Sequence, residues 1–389
     1  MRQISDEQRR ARLGVRHGLA ERLESVESAT AAMTCLHATE PASVHLAAQA
    51  RTGCTREQVD VALYETRSVV KQLAMRRTVF VFPRDLLPAV WGSAAARVAV
   101  QQRGQLARDV VKAGITADGP GWVAEQTAAV HDLLRAEGAM TTARLRAALP
   151  ALEARLTYSP GKSYGGELPI APRVLTTLAA SGVIVRGENA GGWKASRPLW
   201  AAVEDWLPDV AAPLPEHEGY ASLVASWLRT FGPGTEDDLV WWLGATKAAV
   251  RRALGDVGAV PVRLDGASTG YLLPEDLDEV PRPEPWAALL PALDPTTMGW
   301  KERSWYLGPH ASVLFDRNGN GGPTAWWCGR IVGGWRQDPD GTVVVAPAEP
   351  LPEVAARALQ DRAEELTGWF AGDVVRSIYQ SPLVRATAE

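Results

Sequence analysis

Three stretches of this 389-residue chain repeat one plan, and that repetition limits the fold more than any other feature. Each stretch reads as helix, helix, helix, and then two strands joined by a tight tip. In the first, helices are predicted over Val26 to Met33, Ala42 to Arg51 and Arg56 to Glu65. Val69-Val70-Lys71-Gln72-Leu73 and Thr78-Val79-Phe80-Val81-Phe82 then alternate as a hairpin around Met75-Arg76-Arg77. In the second, Gly121 to Glu137 is a long helix, Thr141 supplies an N-cap signal for another, and Ala171 to Ser181 is the third. Gly182 to Arg186, the Gly191-Gly192 turn and Trp193-Lys194 complete that unit as strand, turn and strand. In the third, Tyr220 to Phe231, Leu239 to Leu243 and Lys247 to Leu254 precede a hairpin of Val260 to Leu264 and Gly270 to Leu273. Helix-helix-helix-hairpin is the winged-helix arrangement, whose ordinary use is nucleic-acid binding.

The expected fold is therefore α+β and mainly helical, with three tandem winged-helix units. Pro274 to Pro285, rich in proline and acid, reads as a linker. A small β-rich segment and a final amphipathic helix, Pro352 to Phe370, follow it. The predicted domains are 1–115, 116–212, 213–283 and 284–389.

Charge supports this placement. The net charge is only −4, but it is unevenly spread. Residues 1–110 carry 16 Lys/Arg against 11 Asp/Glu and residues 141–200 carry 8 against 3, while residues 201–300 carry 6 against 16. One face can thus attract phosphate while the rest keeps the molecule soluble. Cys35, Cys54 and Cys328 are too few and too irregularly spaced for a disulfide framework or a zinc site. The amino-terminal residues lack an apolar targeting stretch, and no apolar run approaches a membrane span, so a reduced, cytoplasmic protein is expected. Neither a metal nor a nucleotide cofactor is implied, since no Gly-rich phosphate loop is present.

The chemistry-bearing stretch is Cys35-Leu36-His37-Ala38-Thr39-Glu40-Pro41. In an extended chain His37 and Thr39 point to the same side while Ala38 packs inward. Two such groups can hold one water or one sugar between them. The competing reading makes His37 a helix-end histidine and Thr39 the cap of the following helix.

Several landmarks, in order, resemble the AlkZ/YcaQ-like winged-helix DNA glycosylases. They are Leu36 to Pro41, Leu46 to Arg51, Met75-Arg76-Arg77-Thr78-Val79-Phe80, Phe231-Gly232-Pro233, Leu289 to Asp294 and Cys328 to Arg336. The resemblance runs from about Arg9 to Phe370. It implies three tandem winged helices around duplex DNA and excision of alkylated purines, including bulky or crosslinking N7-guanine adducts. It also implies that some members protect an antibiotic producer from its own product. Where that family has a Gln-aliphatic-Gln or Gln-aliphatic-Asp motif, this chain has His37-Ala38-Thr39. The alternatives are an inactive relative, a different water-handling mechanism or a subgroup with a different adduct, and the last is expected because both replacements can hydrogen-bond.

On this resemblance His37 and Thr39 are the expected catalytic residues, a neutral His37 accepting a proton from the attacking water and Thr39 holding that water or a phosphate oxygen. The nearest lysine in sequence, Lys71, is remote from the motif, so a monofunctional hydrolase is expected rather than a Schiff-base lyase. Arg51, Arg76 and Arg77 are candidate phosphate contacts. Lys162, Ser163 and Tyr164, in a Gly/Ser/Tyr loop, are candidates to reach into a groove. Asp294, Trp300, Lys301 and Arg303 match a family segment expected to line the substrate side. One exposed tryptophan among the 15 is expected to stack on a base or adduct. The expected partner is double-stranded DNA carrying alkylated purines, bound by a monomer, at a shallow site with little dependence on base flipping. The alternative is a non-catalytic regulator or a drug-binding protein, which ordinarily needs a dimer interface.

Overall fold

The computed structural model describes residues 1–158 and 166–387. The fold is mixed, with 49% helix and 18% strand, so helices carry most of the core and the strands form small local sheets. In the first segment the helix Val26–Ala32 begins with a reciprocal Ser25/Ser28 capping box. The helix Pro41–Thr52 starts on a proline and stops at Gly53, whose φ of 73° provides the left-handed exit. Arg56–Asp60 follows and continues as one wider π-turn over Val61–Glu65. The hairpin pairs Val69–Ala74 with Thr78–Pro83 around the expected tip, in register Ala74 to Thr78. Leu36–His37 adds a third strand, pairing with Val81 and Phe80.

The second segment holds the helices Gly119–Glu137, Thr142–Ala148 and Ala171–Ala180, and Thr141 caps as expected through its side chain. Its hairpin differs from expectation. The second strand is Pro198–Ala202, paired with Ile184–Asn189, and Trp193-Lys194 lie in the tip instead of the strand. The tip curls because the Asn189 amide donates to the Gly192 carbonyl at 2.6 Å and to that of Ala195. The Trp193 indole then packs edge-on against Trp369, 5.5 Å between centroids, and its N–H donates to Asp373. A further two-stranded hairpin pairs Arg155–Tyr158 with Gly166–Pro169. Lys162, Ser163 and Tyr164 lie outside the described residues.

The third segment has the helices Glu216–Phe231, Glu236–Leu243 and Lys247–Asp256 and the hairpin Val260–Leu264 with Thr269–Leu272. The amino-terminal strand Gln3–Ile4 joins this hairpin in parallel, beside Arg263 and Leu264. The stretch after Leu273 is no free linker. Asp276 binds both Arg12 and Arg16 of the first helix, Asp6–Arg16, and Gln8 exchanges two hydrogen bonds with the backbone of Val280. The C-terminal part is a four-stranded antiparallel sheet in the order Ala287–Leu290, Thr324–Trp327, Arg330–Gln337, Val343–Pro347. The helix Glu353–Phe370 packs on it through Leu359, Ala363, Leu366 and Phe370.

One core unites the first and third segments with the aromatic floor of the C-terminal part, running through Leu36, Val81, Trp227, Phe231, Trp242, Trp300 and Trp326. The second segment buries a core of its own, from Leu73 and Val98 to Trp200 and Ala202. Leu36 lies in the larger core, so the strand that carries His37 is anchored from beneath.

Candidate active site

Alternation along three short strands decides what surrounds the motif. Residues paired across a sheet share a face, so His37, Phe80 and Gln72 point one way, while Leu36, Val81 and Lys71 point the other. Leu36 is fully buried and Ala38 nearly so, which leaves His37 half-buried and Thr39 exposed on the outer side. Lys71 is thereby turned away from the motif. Burial lowers its ammonium to about 8, which would suit a nucleophile, but its Nζ donates to the Tyr64 hydroxyl at 2.5 Å on the opposite face. The site has no amine from this hairpin.

The His37 ring stands edge-on to Phe80, 5.3 Å between centroids. Its Nδ1 accepts the backbone N–H of Thr39 at 3.4 Å, so the neutral ring carries its proton on Nε2. Burial, and then the nearby Arg76 guanidinium, lower its pKa to about 3. So weak a base would give little general-base assistance at neutral pH, whereas a neutral ring with its proton on Nε2 can donate there. Thr39 does not cap the next helix; Glu40 occupies that position and its side chain makes no cap bond. The Glu40 carboxyl, pushed up by burial, is instead held by the Ser377 hydroxyl and the Ile378 N–H.

The hairpin tip supplies the cations. Arg76 and Arg77 have φ of 55° and 59°, a left-handed pair that turns both side chains outward. Arg76 stacks its guanidinium 4.3 Å from the centroid of Trp241. Arg303 comes to the same indole from the C-terminal part, 5.1 Å from its centroid and 4.9 Å from that of Phe315, with its Nε donating to the Trp300 carbonyl at 2.8 Å. Burial and repulsion from Arg303 lower Arg76 to about 10, so it remains a cation at neutral pH. Neither arginine has a carboxylate within 4.0 Å among the described residues. A half-exposed indole flanked by two uncompensated guanidiniums can take both a π-face and a phosphate oxygen.

Trp241 is the functional candidate that sequence reasoning did not single out. The signal was the Trp241-Trp242 pair: neighbours on a helix diverge by about 100°, so when Trp242 enters the core Trp241 cannot follow.

Three expected DNA contacts are corrected. Arg51 and Asp294 are fully buried and face each other, with Arg51 donating to the two carboxylate oxygens at 2.9 and 2.7 Å. Arg51 also donates to the Thr296 hydroxyl at 2.8 Å, which stands 2.9 Å from His17 Nδ1, while His17 Nε2 faces the Thr230 carbonyl at 3.1 Å. Burial and the Arg51 charge drive the His17 pKa far down, so a neutral ring completes the network. Trp300 is also buried, its indole N–H donating to the Phe231 carbonyl. These residues join the Pro41–Thr52 helix to the C-terminal part and are closed to solvent. Lys301 is exposed and loosely paired with Asp237 at 3.5 Å.

Of four surface concavities none is lined by His37 or Thr39, but one of about 750 Å³ lies against the Arg76–Trp241–Arg303 cluster, lined by Lys301, Arg303 and Phe315. Among the described residues no group of three His, Cys, Asp or Glu side chains is placed to hold a metal. None of their helices is long and apolar enough to cross a membrane.

The model of the family described as DNA glycosylase AlkZ-like matches residues 30–369. No curated protein sequence matches the chain. Among solved structures, the fold is similar to the Streptomyces sahachiroi DNA glycosylase AlkZ, with a TM-score of 0.75 at 22% identity, covering 95% of this chain and 98% of that one. With nearly its whole length inside the family model, the chain belongs to the AlkZ-like DNA glycosylase family and is a DNA glycosylase.

Proposed function

We propose that the chain hydrolyses the N-glycosidic bond of N7-alkylguanine in duplex DNA as a monomer, leaving an abasic site. In this reading the three helix-and-hairpin segments are tandem winged helices around a concave DNA-binding face. The carrying observation is the neutral, partly exposed His37 beside the unengaged Thr39 hydroxyl, next to the Arg76–Trp241–Arg303 cluster.

The chemistry fits the substrate class. An N7-alkylguanine already bears a positive charge, so its glycosidic bond breaks without protonation of the leaving base. The developing sugar cation is then helped most by a positioned water and by the absence of a new positive charge. A histidine that stays neutral meets that condition. Its Nε2–H can hold a sugar or phosphate oxygen, and the Thr39 hydroxyl can orient the water; Arg76 supplies the charge for a backbone phosphate. A site on a strand edge, with His37 half-buried and Thr39 open to solvent, suits lesions too large for a base pocket. Bulky intercalating natural-product adducts are such lesions, and an antibiotic producer would gain self-protection by excising them.

The test is single-turnover excision from duplexes carrying one 7-methylguanine or one bulky N7-guanine adduct, with abasic sites revealed by alkali. His37→Ala and Thr39→Ala are expected to lower the rate at least tenfold with DNA affinity retained. Wild-type rates in both variants would remove the motif from the chemistry.

A further inference from the structure

A second arginine cluster lies between the first helix and the C-terminal sheet, built from three segments distant in sequence. Glu7, Arg10 and Ala11, then Arg282, Pro283 and Trp286, then Trp327, Cys328 and Arg330 enclose a concavity of about 410 Å³. None of these residues takes part in the site around His37.

The local backbone forces the cluster together. The turn between the strands Thr324–Trp327 and Arg330–Gln337 is made by Cys328 at φ 45° and Gly329 at φ 80°. Gly329 sits so close to the first helix that a Cβ there would stand 2.7 Å from the Cβ of Arg10. That approach delivers Arg330 beside Arg10. The two cations repel, and the Arg10 pKa is lowered by burial and by Arg330. Arg282 is compensated by Glu7 at 3.3 Å. Arg10 and Arg330 are not: among the described residues neither has a carboxylate within 4.0 Å, and the Arg10 guanidinium donates only to a neutral carbonyl, that of Trp305, at 2.7 Å. Two like charges held together, with the nearby Glu7 already engaged by Arg282, are costly unless an anion sits between them. Two guanidinium forks beside the half-buried Trp327 offer directed N–H groups for such an anion.

We propose that this concavity is a phosphate-binding site, separate from the one at His37. Its ligand is a phosphate oxyanion, either a phosphodiester of bound DNA or a free phosphate or mononucleotide. The volume leaves room for a sugar next to the phosphate. The DNA arm rests on the glycosylase reading; the free-phosphate arm does not.

The test uses the full chain and the exposed Arg330, as wild type, Arg330→Ala, Arg330→Glu and Arg330→Lys, each checked for unchanged thermal unfolding. Affinity for an undamaged duplex is followed by fluorescence anisotropy across a salt series. If a phosphodiester occupies the site, the slope of log affinity against log salt falls by about 0.9 in Arg330→Ala and Arg330→Glu, and Arg330→Lys restores it. Calorimetric titration with inorganic phosphate and with deoxyguanosine monophosphate, without DNA, tests the other source. Binding by wild type that Arg330→Glu abolishes, with the DNA slope unchanged, assigns a free phosphate ligand. An unchanged slope in every variant together with no phosphate or nucleotide binding overturns the site. If wild type binds no duplex, the DNA arm is struck and calorimetry alone decides the site.

Discussion

The low proton affinity of His37 makes a prediction about pH that separates two mechanisms. With a pKa of about 3, the ring is neutral throughout the range in which excision is measured. A general base with an ordinary histidine pKa near 6.5 would lose activity in acid: between pH 7.5 and 5.0 its neutral fraction falls about thirtyfold. With a pKa of about 3 the same fraction falls by only about 1%. The single-turnover rate on a 7-methylguanine duplex, at saturating enzyme, is therefore expected to be flat from pH 5 to 7.5. Glu40 is the acid next to the motif, and burial raises its pKa, so Glu40→Gln is run alongside to isolate any contribution of its own. Folding is followed at each pH alongside the rate, because the fold weakens as the solution is acidified. His17 and His37 have lowered pKa values, so the unfolded chain binds protons that the folded chain refuses; stability falls as pH drops below 6.5. An acid limb with a midpoint near 6.5, present in wild type and Glu40→Gln and absent in His37→Gln, would refute the neutral-donor mechanism.

The buried pair gives a second expectation: Arg51→Met strands the Asp294 carboxylate and costs about 3–5 kcal/mol in urea unfolding, whereas Arg51→Met with Asp294→Leu recovers much of it. A single variant as stable as the double would contradict the assignment of Arg51 to the interior. Trp241→Ala is expected to slow excision roughly tenfold, in line with about 1–3 kcal/mol for one base–aromatic stack, while Trp241→Phe keeps most of the rate. Equal rates in Trp241→Ala and wild type on both small and bulky lesions would show that the indole only rests beneath Arg76.

What could be read from residue order was whatever local periodicity controls. The Val69–Ala74 and Thr78–Pro83 hairpin alternates cleanly, and Thr141 announces its helix by capping chemistry alone. The two-residue strands Gln3–Ile4 and Leu36–His37 are too short for any period, and each exists only because a distant edge accepts it. Trp193 reads as a strand residue because it follows the Gly191-Gly192 pair, but a contact with residues 369–373 decides its place. Arg51 looked like a surface cation in a last helical turn; its partner lies 243 residues away, beyond the reach of pattern. At the site, the motif and the basic tip were visible in the chain, but the proton affinity of His37 was not. That follows from Arg76 and from burial, both products of packing.

The bonds between Glu40 and the Ser377–Ile378 segment have a consequence for the order in which this enzyme is made. The strand bearing His37 leaves the ribosome early, yet the residue after Thr39 finds its partner 338 positions later in the chain. At ordinary synthesis rates that wait is on the order of half a minute. Cys54, whose carbonyl accepts from Trp369, and Arg22, paired with Glu365, wait almost as long. The candidate catalytic segment is thus among the first parts translated and among the last completed, and a nascent chain cut short before residue 365 leaves Ala42 and Leu46 without Leu366 and Phe370 of their shared core.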